Sequence, residues 1–307
     1  MLATKSYNIS LTERDESILF FLWNYKLATT ALIWFRFFQN SHSPSACYQR
    51  MQKLMHSGYI EKRVNRKGQK PVWVLSKQGF ELVLLRLPEL RAEGFKSEHF
   101  EHDLYVTLFH LGDLIYCPNP ELISVTEQML RRYQKDLIPS VIPDPDEHMP
   151  DGYWLSTVAT KIKLTAIEVE LNKKSPIRYR PYFRFYKTHT SISQVFWVVP
   201  NRSMAKGLYS MSTSEDSKTN NHNFILLSDF LRLGWGARII LGPYANSSVR
   251  EAISNIHLSK LLASPEHFQT LLIANTHLYP RNLLKKQNLE KINFKASNDN
   301  ESNDSQT

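Results

Sequence analysis

The stretch 162-IKLTAIEVEL-171 decides how this chain is read, because it is a run of strand-forming residues that turns acidic only at its end. Residues two apart on a strand share a face. Glu168 and Glu170 therefore follow Ile162, Leu164 and Ala166 on one side, while Ile167, Val169 and Leu171 take the other. Two unpaired carboxylates this close repel each other unless a positive charge sits between them. A divalent ion meets that need, and Mg²⁺ favours one or two carboxylates completed by water and phosphate oxygens.

A third acid stands upstream. Asp151, in 150-PDG-152, lies at the mouth of the short strand 153-YWLS-156. If that strand pairs antiparallel with 162–171, the start of one lies beside the end of the other. Asp151, Glu168 and Glu170 then surround one point as candidate Mg²⁺ or Mn²⁺ ligands, with Lys174 a short turn away. Carboxylates that hold a metal, together with a lysine, suit phosphodiester cleavage: the metal activates water and offsets developing charge, and the lysine steadies the oxyanion. Asp144, in 143-PDPDE-147, is the alternative aspartate, less favoured because no strand follows it directly. The plain structural reading of the pair Glu168 and Glu170 is an acid pair neutralised by Lys173, Lys174 and Arg178.

Ser175 and Pro176 open a helix over 177–189, with a kink expected at Pro181. It interleaves Arg178, Arg180, Arg184 and Lys187 with five aromatic residues. That mixture suits a single strand of DNA, where aromatics stack on bases and arginines hold phosphates; Arg178 and Arg184 are the preferred DNA contacts. Upstream, a helix is expected over 98–115 and a strand over 121–128, with 139–152 as a loop. Downstream, apolar strands are expected at 194–200, 224–227 and 237–243. This order of elements is an α/β domain over 96–295. A polar tail, 296–307, carries no apolar pattern and is expected to be disordered. His99 and His102, three apart on the helix 98–115, could share a metal or lie half-exposed, and His102 or Glu101 could reach the acidic site.

The first third reads differently. Residues 1–95 hold 14 Lys and Arg against 7 Asp and Glu, a balance of +7 within a net charge of +9. Such an excess fits a polyanionic partner. Thr12 caps a first helix with Asp15 at its third position; further helices follow from Thr29 or Thr30 and from Ser43 or Ser45, the last stopping at Gly58. Two short strands, 59–65 and 71–76, are joined by a basic turn, and Ser76 caps a closing helix over 77–87. Three helices, a basic hairpin and a closing helix form the winged helix-turn-helix pattern. There the third helix enters the major groove and the hairpin touches the backbone. Gln49, Arg50 and Lys53 are the third-helix candidates for DNA, and Lys62, Arg63, Arg66, Lys67 and Lys70 the wing candidates, with Met51, Leu54 and Met55 facing the core. The mixed composition 88-PELRAEGFKS-97 marks the boundary.

With 42% hydrophobic and 22% charged residues the chain has globular composition. No apolar run approaches the length of a membrane span, and the N-terminus lacks a signal-peptide pattern, so a cytoplasmic protein without membrane insertion is expected. Cys47 and Cys117 form no C-x-x-C pair, so no zinc site or disulfide framework is expected.

The arrangement Pro150-Asp151, Glu168-Val169-Glu170 and Lys174 resembles the PD-(D/E)xK motif of restriction-type endonucleases, with Glu170 where that motif has lysine. A nearer likeness is the pattern E-x-E-x-x-x-K-S followed by R-Y and a later Tyr, here Glu168, Glu170, Lys174, Ser175, Arg178-Tyr179 and Tyr186. Behind an N-terminal winged helix it resembles the plasmid replication-relaxation proteins and the MOBC class of mobilisation relaxases, over roughly residues 10–200. The resemblance implies a restriction-endonuclease-like fold for the second domain and a metal-dependent relaxase that nicks one strand at a plasmid transfer origin to begin conjugative mobilisation. It also implies acidic active-site roles for Asp151, Glu168 and Glu170, and gives Lys174 the part of the displaced lysine. Double- and single-stranded DNA, an accessory mobilisation protein and a coupling protein would be its partners. The histidine cluster of commoner relaxases has no counterpart here, and the 14 tyrosines offer no positional signal for a nucleophile. The alternative is a non-catalytic DNA-binding regulator of plasmid replication or transcription with a degenerate nuclease-like domain.

Overall fold

The structure, a computed structural model, describes residues 9–38, 43–64, 71–85, 96–97, 99–115, 122–132, 138–158, 161–213 and 221–253. The expected linker lies mostly, and the polar tail 296–307 wholly, outside these residues. The fold is mixed α/β, with a small antiparallel sheet among helices and a six-stranded mixed sheet.

Local capping sets the helix starts of the first part. Thr12 Oγ1 accepts the Asp15 N–H at 3.3 Å and Asp15 Oδ2 accepts the Thr12 N–H at 2.8 Å, a capping box that opens α1 (Glu13–Tyr25). Thr29 caps α2 (Thr30–Phe37), Ser43 caps α3 (Pro44–His56), and Ser76 caps α4 (Lys77–Leu84). The hairpin strands β2 (Ile60–Arg63) and β3 (Val72–Leu75) pair antiparallel. Sequence reading missed a third strand, β1 (Ala28–Thr29), which pairs with the other edge of β3. Two residues carry no periodicity of their own; only the partner strand makes them a strand.

In the second part α5 (Phe100–Leu111) ends in a 3-10 turn at Gly112–Ile115. The expected strand at 121–128 stops early: β4 is Leu122–Thr126, and Glu127 begins the short α6 (Glu127–Arg132). Thr126 caps that helix through the Met129 N–H, while the Glu127 N–H still donates to the Asp151 carbonyl opposite it, at 3.3 Å. Then follow β5 (Gly152–Val158), β6 (Lys161–Val169), α7 (Pro176–Thr188), β7 (Ile192–Val199) and α8 (Arg202–Thr213). The chain continues through β8 (His222–Leu226), α9 (Leu227–Leu233), β9 (Ile239–Leu241) and α10 (Val249–Ile253). The sheet order is β4-β5-β6-β7-β8-β9. Only β6-β7 and β7-β8 are parallel, each joined through a helix, as parallel neighbours require.

The two faces of this sheet bury different partners. Tyr153, Leu155, Leu164, Ala166, Val195 and Trp197 pack under α7 and α8. Trp154, Ile167, Val169, Phe196, Val198 and Ile225 pack against α5 and α9. The second cluster continues without a break into α1, α2 and α3, so the N-terminal helices share a core with this side of the sheet. Polar contacts reinforce the junction: Lys26 Nζ reaches Glu127 at 2.6 Å and Asp103 at 3.3 Å, Asn24 Oδ1 accepts from Thr126 at 2.7 Å, and Arg36 donates to the Leu114 carbonyl at 2.9 Å.

Two core histidines make this fold sensitive to acid. Burial holds His222 down to about 3, with its Nδ1 accepting the Trp197 indole N–H at 3.0 Å. Burial likewise holds His110 down to about 4. The unfolded chain binds these protons below the ordinary value of 6.5 and the folded chain does not, so stability falls as pH drops below that value and levels off near the folded values. Between pH 7 and pH 5 the two histidines are expected to remove roughly 4 kcal/mol, read as a lowered melting temperature. His222→Asn, which preserves an acceptor for Trp197, should recover about half of that loss. A wild-type melting temperature that does not change over this range would contradict the buried neutral histidines.

Candidate active site

The site is built where β5 begins and β6 ends. Gly152 pairs with Ile167 in antiparallel register, which brings Asp151 level with Glu168. The backbone there is tightly held. The Asp151 N–H donates to the Ile167 carbonyl at 3.1 Å, and the Asp151 carbonyl accepts from His110 Nε2 at 3.2 Å. Gly152 has φ +150°, and a Cβ on it would come within 2.4 Å of the His110 ring and 2.6 Å of the Val125 carbonyl, so only glycine fits beside Asp151.

Each acid has its own partner. Asp151 Oδ2 accepts the Val169 N–H at 2.6 Å, and Oδ1 lies 3.4 Å from His102 Nε2 on α5. His102 also reaches Asp103 through Nδ1 at 3.5 Å and the Val169 carbonyl at 3.0 Å. Burial works against its charge, but Asp151 and Asp103 outweigh burial and push the His102 pKa up to about 11. Asp103 is also the partner of Lys26, so a line of charges runs from the end of α1 through Asp103 and His102 to Asp151.

Glu168 enters the opposite, α7-facing layer. Its Oε1 accepts from the Tyr186 hydroxyl at 2.5 Å and from His148 Nε2 at 2.8 Å. Burial raises its pKa, His148 opposes the rise, and the neighbouring Asp151 charge adds to it. His148 stands between α7 aromatics, 4.6 Å from the Tyr182 ring and 5.0 Å from Phe185. Burial, then Glu168, raises Tyr186 well above the ordinary phenol value, which makes it a donor to Glu168 rather than a nucleophile.

Glu170 is only 7% exposed. It turns to Lys174, 2.7 Å away, whose backbone N–H donates to the Tyr179 hydroxyl at 2.9 Å. The Glu170 pair outweighs burial and raises the Lys174 pKa.

The chain matches no family model, no curated protein and no solved structure.

The arrangement brings Asp151 and Glu168 together and sets Glu170 apart as the partner of Lys174. Among the described residues no group of three or more His, Cys, Asp or Glu is arranged to hold a metal ion. Mg²⁺ or Mn²⁺ takes one or two carboxylates completed by water and phosphate; Asp151 and Glu168, already held by His102 and by His148 with Tyr186, are the two that could be offered to it, while Glu170 is turned to Lys174. Asp144 instead accepts the Asp146 N–H at 3.0 Å, which folds its own loop. His99 is exposed at the start of α5, away from the contacts that His102 makes.

The DNA candidates divide in the same way. Gln49, Lys53 and Lys62 are exposed, and Lys62 Nζ lies 5.8 Å from the exposed Tyr48 ring. Arg50 turns inward to Asp15 and the Ser10 carbonyl, so its guanidinium serves the core rather than the helix surface. Arg63 pairs with Glu61 at 2.5 Å. Arg66, Lys67 and Lys70 lie outside the described residues. Arg178 and Arg184 are exposed on α7.

Sequence reading missed His148, which stands in a proline-rich loop 20 positions from Glu168 and shows no spacing that links the two. It had His102 as a surface or metal histidine or as one that could reach the acidic site, and the structure places it against Asp151. A histidine set between two acids at the start of an apolar helix, 101-EHD-103, could have flagged it as an ion-pair partner.

Among the described residues no helix is long and apolar enough to cross a membrane.

Proposed function

We propose that the chain is a DNA-nicking endonuclease of the relaxase type, in which a winged helix (α1–α4 with the β2-β3 hairpin) finds duplex DNA and a nuclease-like domain built on the six-stranded sheet cleaves one strand. The observation that carries this reading is Asp151 level with a part-buried, hydrogen-bonded Glu168 at the shared end of β5 and β6. A carboxylate whose pKa is raised by burial and by a like-charged neighbour at a strand end is a functional-site candidate. Mg²⁺ or Mn²⁺ held by Asp151 and Glu168 would supply charge neutralisation at the scissile phosphate.

The chain's own residues do the rest. His102 and the Val169 N–H fix the Asp151 carboxylate, and His148 and Tyr186 fix that of Glu168. Lys174, held by Glu170 at the start of the loop into α7, presents a cation beside the same strand end and can steady charge on a phosphate oxygen. The transfer origin as target, with an accessory mobilisation protein and a coupling protein as partners, follows from the resemblance and belongs to the same proposal, as does a cytoplasmic location.

A second reading has an observation of its own. Every acid of the site already has an internal basic partner in His102, His148 or Lys174, as a non-catalytic DNA-binding regulator would allow. Supercoiled plasmid bearing a transfer origin, incubated with wild type and Mg²⁺ or Mn²⁺, separates the two. Open-circular product that Asp151→Asn reduces by about 10²-fold or more supports the nuclease. Specific duplex binding with no nicking by wild type supports the regulator.

A further inference from the structure

Beside α7, on its outer side, lies a cleft of about 520 Å³ bounded by Ile177, Arg180, Pro181, Arg184, Phe185 and Glu147. Residues three and four apart on a helix stand on one face, so Ile177, Arg180, Pro181 and Arg184 form one wall. Arg180 and Arg184 are exposed, and Ile177 is 70% exposed, unusual for so large an apolar side chain. The acid of the lining is partly answered, since Glu147 lies 3.4 Å from His189 Nε2. A lining side chain leads toward the active site: the Phe185 ring contacts His148, which holds Glu168.

We infer that this cleft binds an unpaired nucleic-acid strand, with successive phosphates on Arg180 and Arg184 and a base or sugar against Ile177. Four residues of helix advance about 6 Å, so the two guanidinium groups are spaced to follow a backbone rather than to clasp a single anion. A duplex turns its bases inward and would leave the apolar wall unmet. An unpaired strand offers phosphates to arginine and base faces to apolar surface together. The inference rests on the nucleic-acid reading above and extends it to the strand that a nicking enzyme must hold after cleavage.

The test is fluorescence anisotropy of a labelled oligodeoxythymidylate 20-mer with the full chain, without divalent metal, over a series of salt concentrations. Arg180→Gln/Arg184→Gln is expected to weaken binding roughly tenfold and to reduce the slope of log K against log salt by about 1.4, the release expected from two phosphate contacts on a single strand. Arg180→Lys/Arg184→Lys should keep the slope, and Ile177→Ser should weaken binding severalfold without changing it. Duplex binding should be unchanged in all three, with unchanged thermal melts as the folding control. Wild type that does not bind the oligonucleotide, or a double glutamine variant with the wild-type slope, would overturn the inference. So would equal loss on duplex and single strand, which would make the cleft a duplex contact. Because no cleavage is measured, a plasmid that is never nicked beside intact strand binding sinks only the catalytic reading.

Discussion

Replacing Glu168 with glutamine is expected to abolish strand cleavage while leaving the protein folded and bound to DNA. Glutamine keeps the volume and can still accept from Tyr186, so packing beneath α7 should hold. What it loses is the charge that burial and Asp151 disfavour and His148 supports. If that charge holds the cation at the scissile phosphate, removing it takes away stabilisation that develops only in the transition state, about 10²- to 10³-fold in rate or more. His148→Ala should act more mildly, about 10- to 100-fold, as expected of a group that orients a ligand rather than serving as one. Glu170→Gln should fall well short of Glu168→Gln, because its carboxylate is committed to Lys174. The measurement is open-circular plasmid formed per unit time with Mg²⁺ or Mn²⁺ for the three variants. Equal loss in Glu168→Gln and Glu170→Gln would show that the two glutamates act together, as their spacing alone implies, and would refute the division drawn here.

The second large effect is on stability. Asp15 is 0% exposed, and its carboxylate accepts from the Thr12 N–H at 2.8 Å, the Thr12 hydroxyl at 2.7 Å and Arg50 Nε at 2.8 Å, with Arg50 Nη2 also in contact. Burial opposes its charge, yet Arg50 and Thr12 hold its carboxyl below the ordinary value of 3.8. The stability from this group is therefore present above that value and lost as pH falls through the lower folded one. Arg50→Ala removes the cation and leaves a buried carboxylate without its charge partner, a change that costs about 3–5 kcal/mol. At roughly 2–4 °C per kcal/mol for a chain of this size, the melting temperature should fall by about 6–20 °C. Circular dichroism melts read this directly. An unchanged melting temperature accompanied by weakened DNA binding would return Arg50 to the DNA surface, where its position on the third helix first put it.

Arg50 shows where sequence reading stops. Helical spacing places Met51 and Leu54 inward, and the structure buries both. Arg50 lies at the border of the two faces, and only the position of Asp15, 35 residues earlier, decides which way it turns. Elements were legible where their signals were local: Thr12, Ser43 and Ser76 mark helix starts by their own hydrogen bonds, and alternation marks β6. Elements created by a partner were not, as with β1, or α6 where a strand was expected.

The candidate site divides on the same line. By itself the sequence put Glu168 on the face that Leu164 and Ala166 share and Asp151 ahead of a strand able to pair with β6, because strand periodicity is a property of the backbone; Glu170 falls just past the end of β6 at Val169. Only the tertiary structure decided that Glu170 turns to Lys174 while Glu168 faces His148 and Tyr186, and that Asp151 is held by His102 from the helix on the other side of the sheet. The physical reason is that each carboxylate, once buried, takes the nearest donor that can compensate its charge. Those donors come from loops and helices up to 49 residues away in the chain, between Asp151 and His102, at separations that no local pattern records.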